Sequence, residues 1–148
     1  MEIAERLSLL SQARLCAWSV HMGQVDKAGR SYVRAHVEDV VRRLAGEGEV
    51  TQAVGWLHDV VEDGDPSVLS DLRQAFPPEV VEAVVAITHR PNEPRLAYYA
   101  RVKTNPIALR VKLADIASNT DPERVALLDE ATRERLAVKY EKALAALA

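Results

Sequence analysis

The sequence predicts an all-α protein, a single compact bundle of eight or nine short helices spanning residues 1–148. Three observations predict it. The composition is 48% hydrophobic but only 5% aromatic, and rich in Ala, Leu, Val, Arg and Glu, a mixture that favours helices. Apolar residues recur at three- and four-residue intervals along most of the chain. No stretch alternates apolar and polar residues as a half-buried strand does. A chain of 148 residues is long enough to bury a core and of the size of one ordinary domain.

The elements follow in order. Ile3, Leu7, Leu10, Ala13, Leu15 and Trp18 give a helix over about 2–21. "GQVDKAGRSY" (23–32) interrupts it with two glycines and polar residues, and reads as a loop. A second helix over about 34–45 carries His36, Val40, Val41 and Leu44, and "GEGE" (46–49) turns the chain. Thr51 offers a cap for a helix over about 51–62 that ends near Gly64 and Pro66. Asp65 or Ser67 starts a short helix to Gln74, and the prolines at 77 and 78 open another over Glu79–Thr88 with Val80, Val81, Val84, Val85 and Thr88 inward.

"HRPNEPR" (89–95) is a proline-bounded loop, followed by a helix over about 95–103 and a turn at Asn105-Pro106. The helix over about 107–118 is apolar on nearly every side, which places it at the bundle centre. Asp121-Pro122 starts the last two helices, about 122–130 and 132–147. The final segment, "ERLAVKYEKALAALA", is amphipathic. It either packs on its own core or serves a homodimer.

Several classes fall away. The net charge of −3 is interspersed, with no basic stripe for nucleic acid. Cys16 is alone, which excludes an internal disulfide or CxxC pair and fits a reducing compartment. The start, "MEIAERLSLLSQARL", is charged within five residues and lacks a signal-peptide core, and no run approaches the ~18 apolar residues of a membrane span. A cytoplasmic protein without membrane association is expected. P-loop, HExxH, GxSxG and GxGxxG patterns are absent.

Polar groups stand out where helical periodicity points inward. His36 opens the second helix, His58 and Asp59 lie on the third, and Asp115 interrupts the most apolar one. A lone buried carboxylate costs on the order of several kcal/mol unless paired, protonated or metal-bound. Two imidazoles and two carboxylates suit a borderline divalent ion such as Mn²⁺, Fe²⁺ or Zn²⁺ better than Ca²⁺. Glu62 and Asp63 follow His58 and Asp59 by four residues, and Asn119 follows Asp115 by four, so each projects one turn further along the same face.

The order His36, His58-Asp59, Asp115 resembles the H…HD…D pattern of the HD-domain metal-dependent phosphohydrolases. Further stretches resemble the RelA/SpoT-type (p)ppGpp hydrolase domain in a small stand-alone form: "HMGQVDKAG" its HxGQxRxxG, "WLHDVVEDGD" its LLHDxxEDT, "RVKLADIASNT" its KLADRLxN segment. The resemblance implies that His36, His58, Asp59 and Asp115 bind one divalent ion, Mn²⁺ first, with Fe²⁺, Zn²⁺, Co²⁺ and Mg²⁺ as alternatives. It implies that Glu62 and Asp63 position or deprotonate the attacking water and that Asn119 lines a nucleotide site. The activity implied is hydrolysis of a nucleotide phosphate or pyrophosphate. Lys27, Arg90, Arg101 and Lys112 are candidates for phosphate contact, and His21 and His89 for substrate contact.

The pattern also departs. Asp26 stands where the resemblance has a basic residue, reversing a charge near a polyanionic substrate. Tyr32 and His36 are one residue further apart than in YxxH, Val37 replaces a proline, Gly64 replaces a threonine, and Ile116 and Ser118 replace the Arg and the His or Tyr of the last motif. Two alternatives therefore stand beside a (p)ppGpp hydrolase: a nucleotidase or pyrophosphatase for a less anionic nucleotide, and a catalytically silent nucleotide-sensing domain.

Overall fold

Helix α1 (Leu9–Val20) begins where the Ser8 hydroxyl accepts the Ser11 amide. The computed structural model describes residues 7–148, so Ile3 and the expected start near residue 2 lie outside the described residues. Ala13 and Ala17 are buried, whereas Leu15 faces outward. The loop after α1 is pinned by an isolated antiparallel bridge between Val25 and Ser31; the described residues form no strand.

The second predicted helix is opened by a π-helical turn, Val33–Val37, in which the Glu38 amide reaches back to the Val33 carbonyl, and continues as α2 (Glu38–Arg43). This turn accommodates the residue by which Tyr32 and His36 exceed the YxxH spacing. A π turn is how a helix takes up one extra residue without losing its axis, and such turns gather at functional sites.

The predicted helix over 51–62 is two helices, α3 (Glu49–Leu57) and α4 (Val60–Asp63), with His58 and Asp59 at the break between them. His58 Nδ1 donates to the Gly55 carbonyl at 2.7 Å, the oxygen that a continued α-helix would offer to the Asp59 amide. The expected Thr51 cap is also displaced: α3 starts after Gly48, whose φ of 96° suits only glycine.

Helices α5 (Val68–Ala75), α6 (Pro78–Ile87) and α7 (Arg95–Lys103) lie close to expectation. Asn105 caps α8 (Pro106–Asn119), its side chain accepting from Ala108 at 2.9 Å. As its all-round apolarity predicts, α8 is central, packed against α2, α3, α6, α7 and α10. The next helix is shorter than expected, α9 (Pro122–Val125), and α10 (Glu130–Leu147) starts where Asp129 accepts the Thr132 amide. Leu136, Tyr140, Ala143 and Leu147 of α10 are buried, so its apolar stripe packs on the core of its own chain. No described helix is long and apolar enough to cross a membrane.

Gly64, which stands in place of a threonine, ends α4 in a confined spot. A Cβ there would meet the Val60 carbonyl oxygen at 2.6 Å and Val68 Cγ2 at 2.7 Å. Neither the backbone oxygen nor the buried valine yields cheaply. Gly64→Thr is expected to lower stability by about 2–3 kcal/mol, read as a lower urea midpoint. Adding Val68→Ala should recover part of the loss by removing one of the two obstacles.

Candidate metal centre and its flanking cavities

Three elements deliver the four predicted ligands to one point. His36 comes from the π turn before α2, His58 and Asp59 from the break between α3 and α4, and Asp115 from the centre of α8. One nitrogen or oxygen of each lies within 4.8 Å of all the others. His36 Nε2 is 2.9 Å from Asp115 Oδ1 and 3.9 Å from Asp59 Oδ2; His58 Nε2 is 3.0 Å from Asp59 Oδ2 and 3.4 Å from Asp115 Oδ1. Metal–ligand bonds of about 2.0–2.2 Å put donor atoms roughly 3–4.4 Å apart, so this set needs little adjustment to enclose an ion.

The chemistry of the donors fits a metal. His58 Nδ1 is committed to the Gly55 carbonyl, which leaves Nε2 facing the cluster, buried and without a hydrogen-bond partner. A second ring nitrogen held by a carbonyl is the usual arrangement of a metal-ligating histidine. His36 Nδ1 meets Ser118 Oγ at 3.1 Å, across 82 residues of sequence. The Tyr32 hydroxyl donates to Asp59 Oδ2.

Charge balance is tight. Burial alone would raise Asp59 and Asp115, but the His58 charge beside Asp59 and the Lys112 ammonium beside Asp115 outweigh it and hold both below the ordinary carboxyl range. Burial would lower His58; Asp59 and Asp115 outweigh it and hold His58 well above its usual value. A proton and a divalent cation thus compete for the same position, and ligands that must shed protons bind metal more tightly as pH rises. Lys112 Nζ is 3.0 Å from Asp115 Oδ2 and 5.4 Å from the Tyr98 ring centre.

The two predicted acids diverge. Glu62 Oε1 accepts the His89 amide at 2.6 Å, and its side chain borders a cavity of about 700 Å³ shared with Arg90, Arg95, Tyr98, Lys112 and Lys139. Desolvation and the Asp59 charge raise Glu62 above the ordinary glutamate value. Asp63 points elsewhere: it accepts from Gln24 Nε2 at 3.1 Å and lies 3.7 Å from His21 Nδ1. It ties the loop after α1 to α4 and does not border that cavity.

The remaining candidates sort similarly. Arg90, His89 and Lys112 border the larger cavity; Asn119 and Lys27 border a smaller one of about 290 Å³. Asn119 Nδ2 also donates to Asp115 Oδ1 at 3.3 Å. His21, expected as a substrate contact, has a side chain with no exposed surface; its Nδ1 is taken by Gln24 at 2.8 Å and its ring packs on Tyr32. Arg101, expected as a phosphate contact, is spent on Glu93 and the Thr88 carbonyl, where it braces the 88–95 loop.

The sequence reading missed Arg95, Lys139 and Arg124. The first two stand on α7 and α10 and enter the larger cavity only through the packing of those helices on α8. Arg124 comes from α9 and contacts His36 Nδ1, Ser118, Asn119 and Asp26. Asp26 is not a bare acid facing substrate: its side chain is 5% exposed, and it accepts the Ala28 and Arg30 amides and faces the Arg124 guanidinium. The charge reversal that weighed against a polyanionic substrate is neutralised within the fold.

An all-α bundle with two histidines and two aspartates converging on its central helix is the architecture that the HD-type resemblance implies. No protein-family model matches the sequence. Among solved structures, the chain superposes on a metazoan ortholog of SpoT that hydrolyses ppGpp and plays a role in starvation responses. The TM-score is 0.76 at 24% identity, over 95% of this chain and 86% of that one. The likeness establishes a common fold.

Asp26 yields a pH prediction. Burial would raise its pKa, but the Arg30 and Ala28 amides and Arg124 outweigh it and lower it. A depressed folded pKa contributes stability above the unfolded value of about 3.9, lost as pH falls through the folded value. Asp26→Asn is therefore expected to cost about 1–2 kcal/mol at pH 7. The gap between variant and wild type should close as acid protonates Asp26, read by urea denaturation at neutral and acidic pH.

Proposed function

We propose that this chain acts as one domain, a cytoplasmic metal-dependent phosphohydrolase that cleaves a phosphate or pyrophosphate from a nucleotide, with a (p)ppGpp-like 3′-pyrophosphate as the first candidate. The observation that carries the reading is the convergence of His36, His58, Asp59 and Asp115, with an orphaned His58 Nε2 among them, between a cationic cavity and a smaller one. The ppGpp hydrolysis ascribed to the structural neighbour supports the choice of substrate.

The four residues would hold the ion, with Mn²⁺ expected first and Fe²⁺, Zn²⁺, Co²⁺ or Mg²⁺ as alternatives. When bound, such an ion supplies a Lewis acid that polarises a phosphoryl oxygen and lowers the pKa of water. The chain's own groups do the rest. Arg90, Arg95, Lys112 and Lys139 bring positive charge to the larger cavity, where it would bind and orient phosphate oxygens. Glu62, on the wall of that cavity with a raised pKa, is suited to accept a proton from the attacking water. Asp63 acts at one remove, by holding Gln24 and the loop after α1 against α4. Asn119 both steadies Asp115 and faces the smaller cavity, where the nucleoside would lie.

Three variants test the assignment. His58→Ala and Asp59→Ala should lose both the ion, measured by elemental analysis, and activity. Glu62→Ala should keep the ion while turnover falls by about 10²–10⁴-fold. The assay is a Mn²⁺-supplemented panel of (p)ppGpp, nucleoside triphosphates, deoxynucleoside triphosphates and monophosphates, scored for phosphate or pyrophosphate release. Undiminished metal content in His58→Ala would overturn the site; metal binding with silence across the panel would favour a sensing role.

A further inference from the structure

We propose that Arg101 is a positioning residue for Glu62, acting through the single peptide that joins Thr88 to His89. The inference rests on the reading of Glu62 as the proton acceptor of a phosphohydrolase, and it names the device that aims its carboxylate.

Both ends of that peptide are engaged. Its carbonyl, on Thr88, accepts from Arg101 Nη2 at 2.6 Å, and its amide, on His89, donates to Glu62 Oε1 at 2.6 Å. A peptide unit is planar, and this one is trans, so its C=O and N–H point in opposite directions. Whatever fixes the oxygen therefore fixes the amide. Arg101 stands on α7 and Glu62 on α4, and one peptide plane links them.

The helix before it does not aim this peptide. α6 ends at Ile87, and the Thr88 amide and hydroxyl both turn back to the Val84 carbonyl. Thr88 itself has left the helix, with ψ at 119°, so the His89 amide lies outside the α6 ladder. The grip of Arg101 on the carbonyl holds that torsion.

Arg101 is in turn held rigidly. Both of its Nη atoms meet the Glu93 carboxylate, whose Oε1 also accepts the Arg90 amide at 3.1 Å. The two side chains are only 19% and 12% exposed, so this is a shielded two-point pair and not a screened surface contact. The His89 ring donates to the Glu93 carbonyl at 2.9 Å and sits edge-on to Tyr98, closing the loop on itself. Arg101 does not border the larger cavity, whereas Thr88, His89 and Glu62 do. Its route to the reacting water is therefore indirect: the amide takes one oxygen of Glu62, and the other is left to accept the proton.

The test pairs kinetics with an amide resonance. Hydrolysis of the nucleotide panel, ppGpp first, is followed for the Mn²⁺-loaded wild type, Arg101→Ala, Arg101→Lys, Glu62→Ala and Arg101→Ala/Glu62→Ala. Arg101→Ala should lower kcat by about tenfold to a hundredfold, with KM little changed and metal content intact. Arg101→Lys, which keeps the charge but not the fork, should recover only part of the loss. On top of Glu62→Ala, Arg101→Ala should cost little more, because residues acting as one unit are not additive. With diamagnetic Zn²⁺ in place of Mn²⁺, the His89 amide proton should move upfield in Glu62→Ala and again in Arg101→Ala as its bond to the carboxylate is lost. If Arg101→Ala does not fold, Arg101→Lys carries the same measurements. A raised KM at unchanged kcat, as loss of phosphate contact through Arg90 would give, would overturn this inference alone. So would an undiminished penalty in the Glu62→Ala background, or a His89 amide that stays in place when Arg101 is changed. No hydrolysis of any panel nucleotide by the wild type, or full turnover by Glu62→Ala, would overturn the reading of Glu62 together with it.

Discussion

Asp115 is the constraint on which the rest of the structure depends. It sits in the middle of α8, the helix packed on the most sides, among buried Val111, Ala114, Ile116 and Ser118. An uncompensated carboxylate there would cost on the order of several kcal/mol. The chain compensates it from three directions, with His36, His58 and Lys112 all within 3.4 Å of its oxygens. His36 and His58 each fix an element against α8, while Lys112 stands one turn back on α8 itself. The centre and the core are thus one construction, because the helices cannot close on α8 without delivering charge to Asp115.

Two helices deform to make that delivery. The π turn at Val33–Val37 lets Tyr32 reach Asp59 while His36 reaches Asp115. The break at His58-Asp59 does the converse. On a continuous helix adjacent side chains diverge by about 100°, but here the imidazole takes the Gly55 carbonyl and the chain turns, so both side chains face one point. Backbone regularity is given up at the two places where bringing His36, His58 and Asp59 to Asp115 requires it, and helices α6, α7 and α8, which carry none of the four residues or only one, remain regular.

These deformations mark the limit of what the sequence makes legible. Apolar spacing reveals α5 to α8 and the central place of α8, and polar residues in apolar positions reveal His36, His58, Asp59 and Asp115. Periodicity cannot reveal the break, since it arises from a side chain competing for a backbone carbonyl. Nor can local pattern pair Asp26 with Arg124, which are 98 residues apart and meet only when α9 folds against the loop after α1. Asp26 in isolation reads as a repulsive charge, and only its partner turns it into an anchor. His21 and Arg101 mislead in the opposite sense, because a histidine and an arginine in loops and helix ends read as exposed until their partners Gln24 and Glu93 are seen.

The central helix also sets the polarity of the site. Lys112, Asp115 and Asn119 stand at spacings of three and four, hence on one stripe of α8. Lys112 borders the larger, cationic cavity; Asn119 borders the smaller, mixed one; Asp115 lies between and is bonded to both. At 1.5 Å of rise per residue the two flanking groups are about 10 Å apart along the axis. A ligand with an anionic end and a ring end, seated along this stripe, would present the bond joining them to Asp115 and its partners. The same side chains that neutralise a buried carboxylate therefore give the cleft a direction, with four cations at the Lys112 end and, beyond Asn119, the Tyr140 ring and aliphatic side chains beside Lys27 and an Arg124 already paired with Asp26. Orientation follows from the order of three residues on one helix.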